Sequence, residues 1–209
     1  KHATSSTTGV VIGGGLLGLE AANALRLLGL TTHVVEVAPR LMAVQVDDGG
    51  ARLLRSKIEA LGIRCHVGQP ATAVLVDGDG ACTGVRFADG SELACEMVVV
   101  AAGIRPADAL AGPAGIERGE RGGFLVDDRL RASAPGVWAI GECAAHHGRC
   151  YGLVAPGYQM AEVVADQLAG LDAAFALPDL STKLKLVGVD VASFGDAHAT
   201  TPGAQELVY

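Results

Sequence analysis

Three glycines, Gly13, Gly15 and Gly18, stand at G-x-G-x-x-G spacing, and a carboxylate, Glu36, follows about 20 residues beyond the second of them. Residue types in this pattern suit the holding of a dinucleotide. The first glycine allows a tight turn, the second lets backbone approach a pyrophosphate, and the third lets helix pack closely on strand. Leu16 and Leu17 fall at the start of the expected helix, where N–H groups without intrahelical partners face the phosphates. Glu36 then accepts hydrogen bonds from the adenosine ribose and repels a 2′-phosphate, which favours NADH. Arg40 points the other way, because a guanidinium can pair with that phosphate, so NADPH stays open. The competing reading is a βαβ unit whose glycines serve packing alone. It accounts for Gly18 but not for the other two.

A second cluster has ligand chemistry. Cys143, His146, His147 and Cys150 offer nitrogen and sulfur donors of the kind zinc takes. Their spacing is not a familiar finger, and adjacent histidines point apart in most backbone conformations. The expectation is a solvent-facing loop that holds no metal. The other cysteines, Cys65, Cys82 and Cys95, lie in apolar strand contexts and read as core.

These residues need elements to place them. Val10 to Ile12 is an apolar run before the first glycine, and Leu16, Leu19, Ala22, Leu25 and Leu28 recur at helical spacing until Gly29. A second strand over Thr32 to Val37 carries Glu36, and Pro39 blocks further pairing. Asp47 to Leu61 reads as a helix with acids at its start, and Ile63 to Val67 as a third strand. Ala71 to Val76, Cys82 to Phe87 and Glu92 to Cys95 alternate around two Asp-Gly turns, the pattern of an antiparallel meander. Met97 to Ala102 suits a buried parallel strand. Past Ile104-Arg105-Pro106 the sequence predicts a strand at Gly123 to Val126 and a second at Val137 to Ile140, the latter ending on Gly141 and Glu142. A helix over Ala155 to Leu168 follows. Two strands, Lys183 to Val187 and Val189 to Phe194, come next, with a third at Glu206 to Tyr209.

Composition sets the outer limits. The chain has 209 residues, half of them hydrophobic and 19% charged, a globular balance. A net charge of −7 argues against nucleic-acid binding. The longest weakly charged stretch is interrupted by Glu20, Asn23 and Arg26, which argues against a membrane span. Five cysteines without a C-x-x-C pair argue against a disulfide scaffold and for a reducing cytoplasm. The sequence does not fix oligomeric state, and a homo-oligomer is compatible with it.

In combination these motifs resemble the pyridine nucleotide-disulfide oxidoreductase superfamily. The carriers are Gly13 to Glu20, the acid-tipped strand, the meander, Val98 to Pro106, and Val137-Trp138-Ala139-Ile140-Gly141-Glu142. Gly141-Glu142-Cys143, Tyr151 to Pro156, Ser181 to Lys185 and Gly188 to Val191 further resemble the large subunit of assimilatory NAD(P)H nitrite reductase. The flavin subunits of assimilatory nitrate reductase look similar. The resemblance implies an α/β fold: a Rossmann-like three-layer NAD(P)-binding domain with a β-meander crossover (residues 1–104), the C-terminal half of an FAD-binding domain (105–170), and the start of a following domain (171–209).

The resemblance also implies roles. Glu20 would hold the nicotinamide carboxamide, Gly103 and Ile104 would line the nicotinamide side through backbone, and Glu142 after Gly141 would accept hydrogen bonds from the flavin ribityl chain. Hydride would pass from NAD(P)H to FAD, and electrons onward to an electron-accepting domain or protein. Sirohaem and an iron–sulfur cluster are expected only in parts outside this chain, which reads as a piece of a longer protein and as inactive by itself. A rubredoxin- or ferredoxin-type reductase, or a dinucleotide-binding module without catalysis, are the alternatives.

Overall fold

The computed structural model describes residues 3–176, 178, 180, 182–186, 189–193, 195, 196, 198 and 200–203. They fall into two compact units, Lys1–Gly103 with Ser181–Tyr209, and Ile104–Leu180.

The first unit is built on a parallel sheet. Its strands β1 (Thr8–Ile12), β2 (Thr31–Glu36), β3 (Arg64–Val67) and β7 (Met97–Val100) stand in the order β3-β2-β1-β7. Helix α1 (Leu16–Leu27) joins β1 to β2, and α2 (Asp48–Ala60) lies between β2 and β3. Asp47 caps α2, its side chain accepting from Gly50 N–H at 2.7 Å. The crossover from β3 to β7 is the antiparallel meander β4 (Ala71–Val76), β5 (Cys82–Phe87) and β6 (Glu92–Ala94).

Strand alternation divides the sheet residues between two cores. Val11, Val34 and Cys65 face Leu19, Ala22, Leu25, Leu54 and Ile58 of the helices. Val10 and Val35 face Val85 and Phe87 of the meander. The outcome is helix layer, parallel sheet and antiparallel meander, the three layers expected.

The hairpin β10 (Thr182–Leu186) and β11 (Val189–Ser193) departs from expectation. Residues 171–209 read as the start of a separate domain, yet Leu184 and Val189 are buried in the same core as Leu19 and Ile58. Two strands cannot bury an apolar face by themselves, and α1 and α2 supply the surface. The strand expected at 206–209 lies outside the described residues.

In the second unit, β8 (Phe124–Val126) pairs in parallel with β9 (Ala144–His146), and α4 (Val154–Leu168) follows. A short helix, α3 (Ala111–Ala114), precedes them. Val126, Leu130, Ala139, Ala144, Met160 and Phe175 form the core. Val137 to Ile140 is not the strand expected. The turn at Pro135-Gly136 folds this stretch back, Ala132 N–H donates to Val137 and Ala139 N–H donates to Leu130, and a single bridge joins Arg131 to Trp138. Regular pairing begins only at Ala144.

No helix among the described residues is long and apolar enough to cross a membrane. All five cysteines are free thiols, and burial pushes Cys65 and Cys95 up to about 12.

One buried histidine with a half-buried partner makes the first unit sensitive to acid. His33 on β2 and His66 on β3 stack with ring nitrogens 2.9 Å apart. Burial, then repulsion from His66 and Arg64, lowers His33 to about 4. The unfolded chain therefore takes up this proton first, and stability is lost as pH falls from about 6.5 towards 4. Melting temperatures measured at pH 7.5 and pH 5 are expected to fall less in His33→Gln than in the unsubstituted chain. An equal fall in both assigns the acid sensitivity elsewhere.

Candidate functional site

The glycine turn sits where β1 ends and α1 begins, and its three glycines have different reasons for being glycine. Gly13 has φ +120°, and a Cβ there would meet the Ala101 carbonyl oxygen at 2.3 Å. At Gly18 a Cβ would lie 1.8 Å from the Gly13 oxygen, so this residue sets how closely α1 approaches the turn. Gly15 has an ordinary extended backbone, and a Cβ there would meet no protein atom within 4 Å. No described residue requires glycine at that position. It is the N-cap of α1, no side chain caps the helix, and the first N–H groups at Leu16 and Leu17 belong to the open first turn.

Glu36, at the end of β2, is tied to this turn. One carboxylate oxygen accepts from Gly14 N–H at 2.6 Å, the other from Ala38 N–H at 2.7 Å. Gly14 in turn accepts from Met42 N–H at 2.9 Å, and a Cβ on Gly14 would strike Leu41 at 2.7 Å. The sequence reading missed Gly14. Its position inside the motif is unconstrained, and only the fold brings Glu36 and Leu41 against it.

Arg40 donates to Asp48 at 2.8 Å and lines a cleft of about 240 Å³ with Arg52, Arg55 and Val67. Its Nε is buried without a partner among the described residues. Glu20 is exposed on α1, one turn beyond Leu16 and Leu17. Gly103 follows β7 with φ +91°.

In the second unit Ile104 is exposed and within packing distance of Gly152, where a Cβ would lie 3.4 Å from its Cδ1. Gly141, at φ +74°, and the exposed Glu142 form a short 3-10 turn with Cys143. That turn lies against the start of α4: a Cβ on Gly157 would meet Gly141 Cα at 3.3 Å, and no side chain caps the helix.

The loop after β9 overturns the premise about adjacent histidines. His147 has φ +48°, which swings its ring to the side of His146, and the centroids are 4.2 Å apart. Both Nε2 atoms face one oxygen of Asp128, at 3.0 Å from His146 and 2.9 Å from His147. Hydrogen bonding from His146 leads the causes that hold Asp128 below the usual carboxylate range. Cys143 and Cys150 point to other partners, the carbonyls of Ile140 and Gly122. Asp128 carried no signal in the sequence, because parallel pairing of Val126 with His146 is what brings it near.

A family model described as pyridine nucleotide-disulphide oxidoreductase matches residues 1–167. The large subunit of NAD(P)H nitrite reductase from Klebsiella oxytoca is 58% identical over 204 residues, 98% of this chain and 21% of that protein. The NADH nitrite reductase large subunit of Escherichia coli K12 is 51% identical over 207 residues, 99% of this chain and 24% of that protein. The chain thus spans about a fifth to a quarter of the length of these relatives. A ferredoxin reductase structure from Rhodopseudomonas palustris superposes with TM-score 0.77 at 34% identity, covering 87% of this chain and 46% of the other.

The glycine geometry separates packing from ligand approach in a measurable way. Alanine gains about 1 kcal/mol of helix propensity over glycine, but a contact of 1.8 Å with backbone outweighs it. Gly13→Ala and Gly18→Ala are expected to destabilise the chain by at least about 2 kcal/mol in urea unfolding, whereas Gly15→Ala leaves stability within about 0.5 kcal/mol. Equal losses at all three positions would mean that Gly15 also serves packing.

Proposed function

Since the chain belongs to the pyridine nucleotide-disulphide oxidoreductase family, we propose that it is the NADH-binding flavoprotein portion of a cytoplasmic nitrite reductase. The observation that carries this reading is Gly15, a glycine the protein does not need, set at an uncapped helix N-terminus with Glu36 fixed at the turn beside it. A bound pyrophosphate fits that arrangement, because any side chain at Gly15 would occupy the space the phosphates need. The nitrite reductase relatives support the whole-protein assignment.

Each residue then has a task. The N–H groups of Leu16 and Leu17 donate to the phosphate oxygens, and the α1 dipole favours their charge. Glu36 uses two of roughly four acceptor positions on Gly14 and Ala38, and those that remain accept from the ribose hydroxyls. Because a fixed carboxylate repels a 2′-phosphate, NADH is preferred. Arg40, held by Asp48, is the group that would moderate that preference. Glu20 and the backbone at Gly103 orient the nicotinamide, and Gly141 with Glu142 takes the flavin ribityl chain. When bound, the nucleotides would supply the chemistry, hydride transfer from NADH to FAD with electrons passed onward to a metal centre outside this chain.

A ferredoxin- or rubredoxin-type reductase is the second reading, supported by the Rhodopseudomonas palustris likeness. The nitrite reductase reading is preferred because that similarity extends over 98–99% of the chain, against 87%.

Removing the Glu36 carboxylate should weaken NADH binding by roughly 10- to 100-fold, the worth of hydrogen bonds to a charged group, and should weaken NADPH binding less. Titration of nicotinamide fluorescence with Glu36→Ala measures both. Gly15→Ala is the companion variant, since it keeps the Glu36 contacts and is expected to lose both nucleotides. Unchanged NADH affinity in Glu36→Ala would remove the ribose assignment.

A further inference from the structure

We propose that Asp128, His146 and His147 form a binding site for a divalent transition-metal cation of the zinc type. The side-chain donor atoms of the three residues all lie within 4.8 Å of one another, and this is the group of such ligands found among the described residues. Ligands about 2.0–2.1 Å from a tetrahedral centre stand roughly 3.3 Å apart. The observed 3.0 Å and 2.9 Å separations of the two imidazole nitrogens from the carboxylate oxygen need to open by only a few tenths of an ångström. Two imidazoles and one carboxylate suit zinc and its neighbours better than magnesium or calcium, which take oxygen donors.

Three features make this more than a chance cluster. The left-handed backbone at His147 is an uncommon conformation for a residue with a side chain, and it brings the His147 ring onto the carboxylate oxygen that His146 also meets. His146 is 1% exposed, packed edge-on against Phe175, so its ring orientation is fixed before a cation arrives. Its other nitrogen, Nδ1, faces the Tyr151 hydroxyl at 3.1 Å. A hydroxyl both donates and accepts. With the His146 proton on Nε2, Tyr151 donates to Nδ1; with a cation on Nε2, Nδ1–H donates to Tyr151. The buried ring keeps a partner in either state, as the outer hydrogen bonds of metal-bound histidines do.

Asp128 and His147 are exposed, so a cation has a path in, and three protein ligands leave a fourth position to water. Asp128 follows β8 and the histidines end β9, so the cation would clip together the ends of the parallel pair. This inference is independent of the assignment of the glycine turn.

The test is Zn2+ binding to the whole chain, by competition with a chromophoric chelator, with Co2+ absorption reporting coordination geometry. The expected result is one equivalent of Zn2+ bound, a raised melting temperature, and a tetrahedral Co2+ spectrum without the strong sulfur-to-metal charge-transfer band. His147→Ala and Asp128→Asn, both at exposed positions, should bind at least tenfold more weakly. A Cys143→Ser, Cys150→Ser double variant should bind as the unsubstituted chain does. Tyr151→Phe should weaken binding while leaving the Co2+ spectrum unchanged, which a merely structural role for the hydroxyl would not produce. Absence of binding, or affinity unaltered in His147→Ala, overturns the proposal, as does loss of binding in the cysteine double variant.

Discussion

The glycine turn has no side chains with which to hold its own shape, and the carboxylate of Glu36 does this for it. Its two oxygens reach Gly14 N–H and Ala38 N–H at 2.6 and 2.7 Å, lengths typical of charge-assisted hydrogen bonds. The end of β2 is thereby locked to the end of β1, and Met42 N–H closes the other side of the turn on the Gly14 carbonyl. The same carboxylate is the group that a ribose would meet. On the proposed reading, binding and architecture would share one side chain, and the site would be preorganised at no separate expense in flexibility.

What lets that turn form is the strict division of the sheet. Along β1, Val11 goes to the helices while Val10 goes to the meander, and the parallel register with β2 sets Val11 beside Val34 and Ile12 beside Val35. A slip of one residue would exchange the two cores and would carry Glu36 away from Gly14. The apolar residues on both faces therefore fix the position of a polar contact at the strand ends.

Much of this was legible in the sequence. The glycine spacing, the acid-tipped strand and the two Asp-Gly turns identify elements through local backbone chemistry, which does not depend on distant residues. The three layers follow from them. What was not legible depends on long-range packing or on a single dihedral angle. The placement of Leu184 and Val189 against α1 and α2 could not be read from a segment that looks like any short hairpin. The loss of a strand at Val137 to Ile140 comes from folding back at Pro135-Gly136, a stretch whose apolar run fitted a strand equally well. The approach of His146, His147 and Asp128 needs both a left-handed residue at His147 and the parallel pairing of β8 with β9. Only a few per cent of non-glycine residues adopt that conformation, so spacing alone argued against the cluster.

The hairpin has a consequence for how the protein is made. Leu184 enters the core of Leu19 and Ile58, although the whole of Ile104–Leu180 lies between them in the chain. A ribosome adding about 5–20 residues per second takes roughly 4–15 s to deliver that intervening segment. During this interval the outer surface of α1 and α2 is exposed, and a nascent chain in that state presents an apolar patch to chaperones before the last piece of its first unit exists.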